Sequence, residues 1–404
     1  MAGAPRATIA LLSPHHPMTA LPLPSPDAQA ASAALCRLIA AEIDAAGGWL
    51  SFARFMERAL YAPGLGYYAG GAHKFGAAGD FVTAPELSPL FAQTLAAQAA
   101  QVMALSAPHI VEVGAGSGQL AADLLLELEA RAALPESYAI LEVSGELRER
   151  QFDTLAAKVP HRASRVQWLD GLPERFSGAL VANEVLDVMP VHLIAWRPEG
   201  IFERGVALGD EGNFVWADQP ATGKVAEAAA ALGLALPEEG EYVSELNLAG
   251  RAWVAEWAAR LDQGAMLLVD YGYPRAEYYL PSRSTGTLLC YFRHHAHGDP
   301  FVWPGLNDIT AFVDFTAIAE AGFEAGLDVL GYTDQANLLF NCGVLECLAR
   351  RAPEEGADYI RAAKALQRLT GPHEMGELFK VIALGRGISQ PLIGFLRGDR
   401  LHAL

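Results

Sequence analysis

Cationic residues are scarce in this chain: 29 lysines and arginines stand against 47 aspartates and glutamates, a net charge of -18. A field of that sign repels phosphate backbones and anionic headgroups, and no basic stripe reverses it locally, so nucleic acid is not an expected partner. Long apolar runs are missing too. Hydrophobic residues make up 52% of the chain, a fraction inflated by alanine, yet no run reaches the about 18 residues needed to cross a bilayer. Cysteine is limited to Cys36, Cys290, Cys342 and Cys347, too few for a disulfide framework and without paired CxxC spacing. That usage fits a reducing, cytoplasmic setting. Past residue 30 histidine gathers only in "FRHHAHGD", where His294, His295, His297 and Asp299 lack the helical two-histidine spacing of a zinc site. No metal is expected, and these residues read as part of a cleft or its rim.

At 404 residues the chain exceeds the roughly 100 to 200 of an ordinary domain, so insertions into one large domain are expected. Residues 1–30 are rich in proline and alanine, with one arginine and no lysine, which matches neither a signal peptide nor a transit peptide. They read as a disordered leader in which Met18 is a second candidate start. Residues 31–107 show apolar spacings of three and four, the period of helices, interrupted by "APGLGYYAGGAHKFGAAGDFVTAPELS". Glycines mixed with aromatics suggest an ordered loop there, since flexible linkers lack aromatics. From residue 108 to 404 short apolar runs alternate with helical stretches, the pattern of a parallel α/β sheet. The strands expected are "HIVEVG", "YAILEV", "RVQWL", "GALVANEV", "AMLLVDYG" and "KVIALGRG". Insertions at about 190–250, with hairpin-like alternation, and 281–310, with little periodicity, break the rhythm.

"HIVEVGAGSGQL" runs from strand into glycines and then into helix, which lets a ligand approach the backbone and meet helix N-terminal amides. Gly114 and Gly116 fit the dinucleotide fingerprint GxGxxG, but its third glycine falls on Gln119, and the last glycine comes one place early at Gly118. The result is a GxGxG turn, as in enzymes that use S-adenosyl-L-methionine, a ligand with no pyrophosphate to cradle. Glu142 ends the next strand, where a carboxylate accepts both ribose hydroxyls. Asp170 or a neighbour, after the third strand, is a candidate for the adenine amine, although a turn before Gly171 explains it equally well. Glu112 inside the first strand is costly to bury unless it meets a donor such as an ammonium group.

Past the fourth strand, "LVANEVLDVMPVH" sets Asn183 and Glu184 in place, with Asp187 one helical turn beyond. Methyl transfer from an activated sulfonium needs alignment more than acid–base chemistry. If the acceptor is an arginine, paired carboxylates suit its planar, permanently charged fork, and Glu184 with Asp187 are that expected pair. The competing reading is a helix cap and first-turn acid. "YVSELN" adds Glu245 and Asn247 as groups able to bond a peptide, with Ser244 as a helix N-cap.

Taken together, "GYY", "GDFVTAPELSPLF", "VEVGAGSGQL", "LEVS", "NEVLDVMPVH", "LVDYGY", "PGLNDITAFVDF" and "EMGELFKVIALGRG" resemble the MidA family of class I methyltransferases, related to a mitochondrial complex I assembly factor that methylates arginine. The resemblance covers the chain from about Ala31 to the C-terminus. It implies a Rossmann-like class I methyltransferase sheet with a helical N-terminal part and an inserted β-rich and helical element. It also implies S-adenosyl-L-methionine on Gly114, Gly116, Gly118 and Glu142, with Asp80, Phe81, Thr83 and Glu86 of "GDFVTAPE" folded over it. This sequence departs from the family pattern at Val185 and Leu186, where aromatics are common, and at Tyr273, where a histidine often stands. The expected function is methyl transfer to a protein, at arginine, with a respiratory complex I subunit as one substrate. An assembly chaperone that binds cofactor and partner without turnover is the alternative, and a nicotinamide-dependent oxidoreductase is disfavoured by Gln119. Oligomeric state is left open.

Overall fold

The computed structural model describes residues 21–70, 82–351 and 356–404. Its centre is a sheet of seven principal strands: β1 (His109–Val113), β2 (Ser137–Leu141), β3 (Val166–Leu169), β4 (Phe176–Asn183), β5 (Leu261–Tyr273), β6 (Asp328–Asp334) and β7 (Phe379–Arg386). They lie in the order β6-β7-β5-β4-β1-β2-β3, with the two-residue strand Val313–Asp314 added at the end of β5. β7 runs antiparallel to both its neighbours, and the remaining pairs of this order are parallel. Chain order reverses between β1 and β4, and a crevice opens beyond the strand C-termini at such a switch point.

Alternate strand residues feed two cores. Ile110, Val181 and Leu267 pack under helices Pro89–Leu105 and Gln119–Ala130, while Val111, Leu180 and Leu268 pack against Trp257 and Ile318 on the other face. Cover on both faces is why these strands read as continuous apolar runs. β6 carries no such run. It is an edge strand whose first residue is exposed and whose sequence "DVLGYTD" is diluted by a glycine and two aspartates, so it is absent from the strands expected on hydropathy.

The N-terminal region divides between two bodies of the fold. Ser25 caps helix Pro26–Ala45 and a proline opens it, so ordered structure starts inside the stretch expected to be leader, while residues 1–20 lie outside the described residues. Leu35 and Ile39 of that helix, with Phe55 and Leu60 of helix Phe52–Tyr61, pack on Val206 and Ile309. Leu50–Ser51 completes an antiparallel sheet with His192–Arg197, Gly200–Leu208, Phe214–Pro220 and Tyr242–Leu246. Helix Pro89–Leu105 instead joins the main core. Between 281 and 310, where little periodicity is visible, lie three short antiparallel strands, Leu289–Phe292, His295–His297 and Asp308–Thr310. Among the described residues no helix is long and apolar enough to cross a membrane.

Candidate active site

A cavity of about 530 Å³ lies at the C-terminal ends of β1, β2 and β4, within the range of small-molecule sites. Its floor is the glycine turn. Gly114, Gly116 and Gly118 have φ of 68°, 54° and 80°, the left-handed region that glycine enters without cost. A Cβ on Gly118 would lie 2.9 Å from Gln151 Cα, and one on Gly114 would lie 3.0 Å from Val185 Cγ2, so both positions are also closed by packing. Gly118 caps helix Gln119–Ala130, whose N-terminus therefore faces the cavity.

Glu142 follows β2 and is almost wholly buried. Its Oε1 accepts the Ser144 amide (2.9 Å), and its Oε2 accepts Gln151 Nε2 (3.0 Å), which also donates to Gly116 O (3.1 Å). Gln151 thus ties the glycine turn to the carboxylate. It is fully buried and carried no signal in the sequence, because it projects from the middle of helix Gly145–Lys158. Glu112 is buried, lines the cavity and accepts the Tyr138 hydroxyl, a neutral donor, at 2.5 Å. Burial pushes the Glu112 carboxyl up to about 7.

Not every expected residue arrives. Asp170 is 94% exposed, pairs with Arg148 at 2.7 Å and is absent from the cavity wall, where Leu172 stands instead. Asp80 and Phe81 lie outside the described residues. Thr83 and Glu86 do line the cavity, and the Ser117 hydroxyl of the glycine turn donates to Glu86. Ser244 is not a helix cap: Asn247 caps helix Leu248–Ala258 through Gly250 N (2.6 Å) and donates to Leu186 O (3.0 Å). Glu245 accepts the Tyr278 hydroxyl and the Thr287 and Leu288 amides, a buried joint rather than a peptide contact. Tyr273 sits under Arg283, 4.4 Å from its ring centre, and does not reach the cavity. His294 lines the cavity, His297 is buried against Asn307, and no group of metal-ligating side chains occurs among the described residues.

At the end of β4 the chain makes a tight turn instead of the expected helix. Glu184 has φ of 55°, left-handed without being glycine, and Asp187 lies in the turn that closes at Pro190. Asp270 of β5 builds this turn: its Oδ2 accepts the amides of Val185 (3.1 Å), Leu186 (2.9 Å) and Asp187 (3.2 Å), and its Oδ1 accepts that of Tyr271 (2.9 Å). Burial and the neighbouring acids push Asp270 up, but four amide donors favour its anion. Glu184 is pushed up to about 8 by burial and then by Asp187, against a 2.9 Å bond from Asn183 Nδ2. Asp187 is pushed up to about 6 by burial, although the Tyr271 hydroxyl donates to its Oδ2. The Asp187 and Val188 amides lower it from nearby without reaching hydrogen-bond geometry, so Oδ1 of Asp187 is buried with no partner.

The cavity therefore joins a glycine turn and the Glu142 carboxylate to the acids of the turn after β4. A family model of S-adenosyl-L-methionine-dependent methyltransferases matches residues 90–333. A crystal structure from Burkholderia thailandensis, described as a COG1565 superfamily member and likely methyl transferase bound to S-adenosyl-homocysteine, is 54% identical, with a TM-score of 0.92 over 95% of this chain and 100% of that one. Mouse protein arginine methyltransferase NDUFAF7, mitochondrial, is 30% identical over 83% of this chain and 81% of its own length. The Drosophila melanogaster homologue is 28% identical over 93% and 91%. The residues present fit S-adenosyl-L-methionine, since the turn holds its backbone open and Glu142 faces the cavity from the strand edge beside it. On sequence, fold and site alike, the chain belongs to the MidA-type S-adenosyl-L-methionine-dependent methyltransferases.

Proposed function

We propose that the protein methylates an arginine side chain of another protein. The observation that carries this reading is the placement of Glu184 and Asp187 in one compartment of the cavity, with Asp187 Oδ1 buried and unpartnered. A guanidinium offers five donors in a planar fork and suits such a pair of acceptors. The names of the mouse and fly relatives support the same substrate class, and the family resemblance adds a respiratory complex I subunit as a candidate. Four free cysteines support a reducing, cytoplasmic setting.

The cofactor supplies an electrophilic methyl group on a sulfonium. What remains for the chain's own residues is alignment and charge. Gly114, Gly116, Gly118 and Glu142 would hold the cofactor, with Glu112 and Thr83 against it. Glu184 and Asp187 would hold the fork edge-on and leave one nitrogen free to attack, with Asn183 steadying Glu184. Glu184, its carboxyl already raised, takes the proton that the nitrogen sheds as it becomes methylated.

Glu184→Gln tests this. It should lower methyl transfer about 100-fold while calorimetry finds S-adenosyl-homocysteine binding unchanged. Methyl incorporation is read by mass spectrometry of partner proteins captured from cell extract. Equal turnover, or label on a residue other than arginine, would overturn the reading.

A further inference from the structure

Two stacked tyrosines bridge the acid-bearing turn after β4 to the small inserted sheet. The Tyr61 and Tyr68 rings lie 5.6 Å apart at 19°. Tyr61 donates to Val188 O at 3.0 Å, beside Asp187, and Tyr68 donates to Asp308 Oδ1 at 2.9 Å. Asp308 is 2% exposed, opens the strand Asp308–Thr310, and pairs in register with Tyr291. Tyr61, Tyr68, Tyr291 and Asp308 all line the same cavity as Glu184 and Asp187. Arg368, which donates to Glu374, is the one lysine or arginine among the described residues of that wall, so carboxyl groups outnumber basic groups there. Within it Asp187 Oδ1 is buried and has no hydrogen-bond partner.

We infer that Asp308, held by Tyr68, is a specificity-determining residue of the acceptor site, forming with the Tyr61–Tyr68 stack a second wall that selects a guanidinium over an ammonium. The inference rests on the arginine reading above. A planar fork has two edges, and one edge satisfied by Glu184 and Asp187 leaves the other edge's donors for a second acceptor in the cavity. Asp308 supplies it. The flat tyrosine faces suit guanidinium stacking, whereas the lysine ammonium is compact, strongly hydrated and not planar. The 281–310 insertion thereby gains a role, since it brings Asp308 and Tyr291 to a cavity where Glu112, Glu142, Glu184 and Asp187 stand on, or just after, strands of the main sheet.

The probes are Nα-acetyl-arginine N-methylamide and its lysine counterpart, titrated calorimetrically into the full-length protein saturated with S-adenosyl-homocysteine. Wild type should bind the arginine probe more tightly than the lysine probe. Asp308→Asn should weaken the arginine probe roughly tenfold, the scale of one charge-assisted hydrogen bond, with S-adenosyl-homocysteine affinity within about twofold. Tyr68→Phe keeps the ring and removes the hydroxyl, so it should weaken the arginine probe in the same direction by a smaller factor. It also guards against misfolding of the aspartate variant, as does the retained cofactor affinity. If Glu184→Gln weakens the arginine probe but Asp308→Asn and Tyr68→Phe do not, the second wall is overturned and arginine recognition by the first stands. If wild type binds neither probe, or prefers lysine, the arginine reading fails and the inference falls with it.

Discussion

A left-handed backbone at a residue other than glycine costs about 1–3 kcal/mol, and it persists only where the surroundings enforce it. Glu184 is held there by its amide donating to Val269 O at 2.8 Å and by the turn that Asp270 closes just after it. Gly116 meets the same backbone demand on the cofactor side, at φ of 54°. Gly116→Val should therefore abolish S-adenosyl-homocysteine binding, because a β-branched residue is strained in that region and its side chain would stand where the ligand approaches the turn. Isothermal titration reads the outcome, and unchanged affinity would remove the turn from the cofactor site. Which single residues could be foreseen follows from where their signal lies. Glycines and Glu142 announce themselves through local pattern and strand edge. Asp170 has the same local pattern as Glu142 but not its burial, and exposure is set by a helix, Gly145–Lys158, that offers Arg148 to it.

Between elements, the acceptor turn is made by the contact of two strands far apart in sequence. Asp270 belongs to β5, Glu184 and Asp187 follow β4, and the parallel pairing of Leu268 with Ala182 and Val269 with Asn183 brings them together. "LVDYGY" and "NEVLDVMP" each look ordinary alone, so neither the cap nor the tight turn was legible in either stretch, and a helix was the local expectation. Asp270→Asn should expose the dependence. An amide presents one acceptor oxygen where the carboxylate presents two, so at least one of the four amides loses its partner. Methyl transfer should fall roughly tenfold, while affinity for S-adenosyl-homocysteine, whose proposed contacts lie after β1 and β2, stays within about twofold. Equal loss of both would make Asp270 a residue of general stability. β6 and the inserted three-stranded sheet escaped for a related reason. Short or edge strands owe their form to a partner, and their sequences show little period of their own.

Across the whole molecule, an acidic chain concentrates raised carboxyls in one cavity, and this fixes how its stability responds to pH. Glu184 is pushed up to about 8, Glu112 up to about 7 and Asp187 up to about 6, each above its ordinary value because burial disfavours the charged form. Folded protein thus binds more protons than unfolded protein between about pH 4.5 and about pH 8, and linkage makes stability fall as pH rises through that window. The contribution is fully present below the unfolded values and lost above the folded ones. Without substrate, the unfolding temperature should accordingly drop from pH 5 to pH 8. Glu184→Gln, neutral throughout, should flatten the upper part of that slope, and thermal unfolding monitored by circular dichroism measures both. Catalysis should run in the opposite sense. A guanidinium needs ionised acceptors, so kcat/KM should rise with pH in two steps between about 6 and about 8, macroscopic values that belong to the Glu184 and Asp187 pair together. Stability and activity pulling apart over one pH window is the signature of carboxylates buried to receive a cation. A kcat/KM profile flat from pH 5 to pH 9 would assign the raised acids to structure alone.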